Sequence, residues 1–272
     1  MTAITVTYNA KLQRMVKAMK ADIDRQLVPI LKAYAPEYVQ DAAPTLDGWA
    51  DAIAVALAAL RARWVDSPAA KAFAQMIAGE VVRTSLTKSV RDLQKSAGID
   101  VYTGNVNLQE YTKAAAQQNA SLITSISSQY LDNVGNIVLT NTRAGLRPGS
   151  IVSLLVDQYG VTQRRAKFIA RDQSAKLAGD FAEFQQKGAG FQYFKWIDSG
   201  DSRVRHRHEE IANKLTAYGE GIYRWDNLPS SDKGDPIKPG QDYNCRCTSR
   251  PVSEREVKRN QERGLVAVGV YK

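Results

Sequence analysis

The stretch DSRVRHRH, Asp201 to His208, holds both histidines of a 272-residue chain, and NCRC, Asn244 to Cys247, holds both cysteines. Imidazole nitrogens and thiolates are the ligands of tetrahedral zinc, so metal binding is the first chemistry these residue types suggest. In an extended segment residues two apart face one side, which would let His206 converge with His208, and Cys245 with Cys247. On a helix each pair would diverge. A structural zinc held by His206, His208, Cys245 and Cys247 is therefore one reading, although zinc knuckles usually place two residues between their cysteines. The other reading is a small apolar thiol pair in a core and two solvent-facing histidines among arginines. A bridge across the single residue between Cys245 and Cys247 would be strained and would staple nothing distant, so reduced thiols are expected. A zinc- or histidine-dependent nuclease can also be written, with His208 as general base, Asp201 orienting it and Arg203 on phosphate. The chain shows no Ser/His/Asp order, no phosphate-cradling glycine loop and no paired metal carboxylates to support it.

These residues need elements to hold them. FQYFKWI, residues 191–197, is aromatic and suits a strand, and GIYRW and TSRPV suit two more. HEEIANKLTAY between them reads as a short helix, SEREVKRNQERG as a polar helix leading to a tail, and the Pro- and Gly-rich stretch 226–243 as an irregular loop. Upstream the pattern is helical. Trp49, Ile53, Leu57, Leu60 and Trp64 recur at three- and four-residue steps, as do Phe73, Ile77, Val81, Leu86 and Val90, which predicts three or four helices before Gly98. After AGIDVYTGNVN, Asn107 and Glu110 read as a capping box for a helix carrying Leu122, Ile126, Tyr130, Val134 and Ile137, which Gly135 weakens without ending. Ser150 can cap a short helix that stops at Gly160, and Thr162 can cap a longer one from Gln163 to about Lys187. That corner has the form of a helix-turn-helix, with Arg164, Arg165, Lys167 and Arg171 on its second helix. The expected fold is α+β and mostly α: a helical region at 1–98, central helices with the corner at 99–187, a small α+β module with a short sheet at 188–252, and a polar helix and tail at 253–272.

The order of residues is more informative than their type. The run W-x-x-x-x-D-x-R-x-R-x-x-H, then Pro-Gly, then N-C-R-C resembles the C-terminal domain of the phage Mu F-like head morphogenesis family, the minor head proteins of tailed phages. Trp196, Asp201, Arg203, Arg205, His208, Pro239, Gly240, Cys245, Arg246 and Cys247 stand at the positions of that pattern, and GVTQRRAKFIARDQSAKLAG resembles the family's preceding helix. There Ala170 and Arg171 match an A-R-T-E core, while Asp172 and Gln173 replace its Thr and Glu. The resemblance covers roughly Gly145 to Val252. Many relatives have a Cys-x-x-Cys at the positions of Arg205 and His208 and a histidine just before the final cysteine pair, which reads as zinc ligation; this chain keeps Cys245, Cys247 and His208, has Arg205 instead of a thiol, and offers Asp242 and Tyr243 where the histidine would stand. A metal-free account of the motif pairs Asp201 with Arg203, draws Arg246 to the same carboxylate, and has Gln173 hydrogen-bond from the apolar helix face into the neighbouring domain.

The resemblance implies a nonenzymatic minor head protein acting in procapsid assembly, bound to the portal at one vertex inside the capsid and present in host cytoplasm during assembly. Scaffold, major capsid protein and packaged DNA are further partners it brings into view, with no cofactor required. Composition agrees with an anionic partner. The net charge is +9, and Arg143 to Lys176 holds seven Lys or Arg against two Asp, so Arg143, Arg147, Arg164, Arg165, Lys167 and Arg171 are candidates for phosphate contact. Either DNA reading, sequence-specific or not, needs those side chains exposed. The longest apolar run, Ala52 to Leu60, is nine residues, against roughly 20 for a bilayer span.

Overall fold

A computed structural model describes residues 2–33, 48–98 and 106–267. The expected turn before Asn107 and the last residues of the tail lie outside them. The order is α1 (Ala3–Ala33), α2 (Trp49–Arg61), a π-helical turn (Ala62–Asp66), α3 (Pro68–Ala97), α4 (Val106–Arg143), α5 (Pro148–Gly188), β1 (Tyr193–Ile197), α6 (His206–Asn213), β2 (Leu215–Thr216), β3 (Gly219–Glu220), β4 (Ile222–Arg224), β5 (Thr248–Val252) and α7 (Glu254–Glu262). This is the α+β, mostly helical architecture expected, with three α-helices before Gly98 among the described residues. Among the described residues no helix is long and apolar enough to cross a membrane.

The chain forms two compact units, Met1–Glu80 with Ala116–Ala170, and Val81–Ala115 with Arg171–Lys272. In the first unit the helical stripes supply the core: Tyr8, Leu12, Val16, Met19 and Leu27 of α1 are fully buried, as are Ile126, Val134 and Val138 of α4. Buried Asp22 is not left alone there. Its carboxylate accepts from Trp64 Nε1 at 3.0 Å and pairs with Arg25 and Arg63 at 2.9 and 3.0 Å.

The helix-turn-helix-like corner does not form. α5 runs unbroken through Gly160 and Thr162. Thr162 caps nothing; it is buried and its hydroxyl donates to the Gln158 carbonyl one turn back at 3.0 Å. Ser150 lies inside the first turn, behind Pro148, whose missing N–H suits a helix start. A glycine inside a helix costs about 1 kcal/mol, and ending and renucleating a helix forfeits several hydrogen bonds, so continuation wins. Where a stop was expected, at Gly188 to Gly190, it occurs. Gly190 turns left-handed (φ 84°) and Phe191 N–H returns to the Gln186 carbonyl at 2.9 Å.

In the second unit β1 is the central strand of an antiparallel sheet ordered β4-β1-β5. Phe194 lies opposite Tyr223 on one side and Pro251 on the other, and Pro251 is tolerated because β5 is an edge. The period of two sends Phe194 and Trp196 to one face. There they form a core with Trp225, Ile211, Ile237, Cys245 and Cys247, and Phe194 stacks on Trp225 at 4.0 Å. Ile222, Val252 and Val257 fill the opposite face. Ser253 caps α7, accepting from Glu256 N–H at 3.2 Å, as its position before that polar helix suggests.

Candidate functional site

Two loops meet under β1. The first follows the strand. Gly200 N–H donates to Asp198 Oδ1 at 2.8 Å and Arg203 N–H to Asp201 Oδ1 at 3.0 Å, two local turns that lead into α6. The second is the CRC loop. Asn244 adopts φ 52°, Cys245 N–H closes a turn on the Asp242 carbonyl at 3.0 Å, and Cys247 N–H points at Cys245 Sγ, 3.4 Å away.

The two histidines part company because HRH is helical rather than extended. Successive helix positions turn by about 100°, so residues two apart face nearly opposite ways. His206 points outward, 84% exposed, and meets Glu210 at 3.2 Å. His208 points inward. Its Nδ1 lies 3.6 Å from Cys245 Sγ and 3.5 Å from Cys247 Sγ, and its Nε2 lies 3.5 Å from Asp242 Oδ2. The four-residue set that included His206 is therefore corrected to three: His208, Cys245 and Cys247, all buried, with ligand atoms within 4.8 Å of one another. Trp196 closes the cluster with an edge contact to the imidazole at 5.5 Å. Its buried indole N–H makes no conventional hydrogen bond and faces the Cys247 sulfur, favouring that sulfur's ionised form. The two sulfurs share charge unequally. Hydrogen bonding from Cys247, and then from His208 and the Cys247 and Gly240 backbone, pulls the Cys245 thiol well below its ordinary range, while the hydrogen bond to Cys245 and burial push Cys247 up.

The charged part of the motif is also rearranged. Asp201 takes its fork from Arg246: Nη2 donates to Oδ1 at 2.6 Å and Nη1 to Oδ2. Arg203 is only a loose partner at 3.5 Å and is 76% exposed, so the expected Asp201–Arg203 bidentate pair is corrected to Asp201–Arg246. Arg203 reaches Asp201 with one nitrogen only, because its backbone N–H already holds Oδ1 in the turn, whereas the CRC loop brings both Arg246 nitrogens onto the carboxylate. Arg246 holds the Asp201 carboxyl well below the usual carboxylate range, with the Arg203 backbone N–H adding to it. Arg205 donates to the Tyr243 carbonyl at 2.7 Å and pairs with Asp242 at 3.2 Å, so it spans the two loops.

Three anchors escaped the sequence reading. Buried Asp172 of α5 accepts the Asn244 N–H at 3.1 Å and pairs with Lys176 at 2.7 Å, tying the CRC loop to the helix. An acidic residue on an otherwise apolar helix face was the available signal. Gln173 is buried as expected, but it donates to Asp172 at 3.2 Å. Lys238 reaches Asp180 and Glu183 at 2.7 and 2.6 Å; burial disfavours its charge, and the two carboxylates more than offset this. Beside it Pro239 and Gly240 lie against α5 so closely that a Cβ on Gly179 would overlap the Pro239 carbonyl, and one on Gly240 (φ 87°) would strike the Ala175 carbonyl. The Pro-Gly of the motif is thus a backbone contact. Of the basic candidates, Arg143, Arg147, Arg164 and Lys167 are exposed, while Arg171 is half-buried and so is Arg165, which donates to Ser125 at 3.1 Å.

Residues 132–250 match the family described as Phage Mu protein F like protein, a span that takes in the end of α4, all of α5, both loops and the sheet as far as Arg250. The chain carries a Mu F-like domain. A Haemophilus influenzae protein described as uncharacterized is 30% identical over 251 residues, which is 90% of this chain and 52% of that relative. The chain thus spans about half the length of the curated relative it matches. No solved structure matches it. Each residue that carried the resemblance, from Trp196 to Cys247, lies inside the matched span, and most of them make the contacts that fasten the two loops of the Mu F-like domain.

Proposed function

We propose that this chain is a minor head protein of a tailed phage, a docking component of head assembly that binds the portal inside the capsid. The observation that carries the reading is how the domain uses its polar motif residues. Asp201 and Arg246, Arg205 and the Tyr243 carbonyl, Asp172 and Asn244, and Lys238 with Asp180 and Glu183 cross-link the domain's own segments. Such links make a rigid part with a fixed surface, which suits assembly. The match of residues 132–250 to the Phage Mu protein F like family supports the same reading, since the sequence motifs resemble those of head morphogenesis proteins. Co-expression of the full chain with the portal protein of the same phage is the direct test. A complex that co-elutes through gel filtration is expected; separate elution at micromolar concentration overturns the partner assignment.

Packaged DNA is a second partner in this proposal. Exposed Arg143, Arg147, Arg164 and Lys167 and a net charge of +9 supply cations for phosphate without a reading helix. Binding to duplex DNA is then independent of sequence and weakens steeply as salt rises.

A further inference from the structure

We infer that His208, Cys245 and Cys247 bind one zinc ion, with His208 coordinating through Nδ1 and Asp242 orienting the ring from its other nitrogen. The first argument is distance. Zinc bonds of about 2.3 Å to sulfur and about 2.0–2.1 Å to nitrogen at a tetrahedral angle hold sulfur and nitrogen about 3.6 Å apart. The two separations here are 3.6 and 3.5 Å, and both sulfurs keep that spacing from one nitrogen. The second argument is hydrogen-bonding capacity. A neutral imidazole offers one lone pair, so Nδ1 can accept one S–H, and the other thiol is left only a weak S–H···S contact with its neighbour. A cation is satisfied by all three at once. Two thiolates and Zn²⁺ sum to zero, which lets the cluster stay buried beside Phe194, Trp196, Trp225 and Ile237.

The surroundings complete the case. Asp242 Oδ2 is 3.5 Å from His208 Nε2 and is itself held by Arg205 at 3.2 Å. A carboxylate there favours the tautomer protonated on Nε2, which frees the Nδ1 lone pair toward the sulfurs, the arrangement by which outer carboxylates orient metal-bound histidines. The Cys247 N–H aimed at Cys245 Sγ from 3.4 Å, and the Trp196 indole facing Cys247, are donors suited to thiolate sulfur. Two sulfurs and one nitrogen select a soft ion such as zinc over magnesium or calcium. With three protein ligands, the fourth position takes water or another exogenous ligand.

Elemental analysis of the full chain, expressed with zinc and purified reduced without chelators, should find one zinc per chain; protein that is folded and free of zinc overturns the inference. Because Cys245→Ser and Cys247→Ser can fail to fold, the wild type expressed with cobalt provides a second measurement. Thiolate-to-cobalt charge-transfer bands and intense tetrahedral d–d bands are expected, and their absence overturns it. His206→Ala should keep the metal fully, and loss there would show that the ligand set is wrong. Asp242→Asn should bind zinc roughly 10–100-fold more weakly in competition with a chromogenic chelator, while unchanged affinity removes Asp242 from the site. None of these outcomes depends on portal binding.

Discussion

Arg246 is the residue on which the charged side of the lock depends. Its fork on Asp201 cannot be reproduced by lysine, a point charge without two parallel donors. Because Arg246 depresses the Asp201 pKa in the folded state, the pair's contribution is complete above the ordinary carboxylate value near 3.8 and is lost as pH falls below it toward the folded value. Arg246→Met should therefore flatten the acid side of the stability curve, with the difference from wild type shrinking below about pH 4. Arg246→Lys should fall between the two. Urea midpoints measured from neutral pH down to about pH 2 check this, and an Arg246→Met curve parallel to wild type throughout would refute the pairing. The motif spacing showed that Asp201, Arg203 and Arg246 belong together, but not which arginine the carboxylate faces, since that depends on the approach of a loop 45 residues away.

At the scale of elements, α5 is the finding that sequence periodicity missed. Gly160 followed by Thr162 has the form of a stop and a cap, yet both are interior helix residues. Gly160→Ala tests the continuity. Its Cβ would meet only the end of the flexible Arg164 side chain at 3.6 Å, so the substitution should stabilise the chain by about 0.5–1 kcal/mol through helix propensity. A glycine turning a left-handed corner would instead resist alanine. Gly240 is the opposite case. It combines φ 87° with direct contact on the Ala175 carbonyl, and Gly240→Ala should destabilise by about 1–3 kcal/mol. Denaturant midpoints of the two variants should move in opposite directions, and a shift of both the same way would contradict this account of α5 and its loop.

The whole molecule does not divide where the family resemblance begins. The unit that contains the sheet also takes Val81–Ala115 from the far side of the sequence. Tyr111 of that segment packs on Phe181 and Phe184 at 5.6 and 5.4 Å, and its hydroxyl donates to Asp180. Burial and the adjacent carboxylate push that phenol far up, so it stays a donor at any ordinary pH. Phe181 is completely buried, worth about 1.5–3 kcal/mol of transfer energy. A fragment of residues 145–272, close to the span of the motifs, should then lack the cooperative thermal transition of the full chain. Calorimetry of the two decides the point: a fragment melting sharply at the full-length temperature would show that Val81–Ala115 is dispensable.

What the sequence determined by itself was local. The three- and four-residue steps of α2 to α4, the strand at β1, the polar helix α7 and the end of α5 just past Lys187 follow from contacts within a turn or a pleat, and short windows contain them entirely. The clustering of His208 with Cys245 and Cys247 was legible too, because the residue types are rare in this chain. Only the tertiary structure decided which histidine turns inward, that Arg246 takes Asp201, and that Asp172 and Gly179 receive the loops. Those choices join residues 37 to 72 positions apart, and no local pattern fixes how a chain closes over such distances.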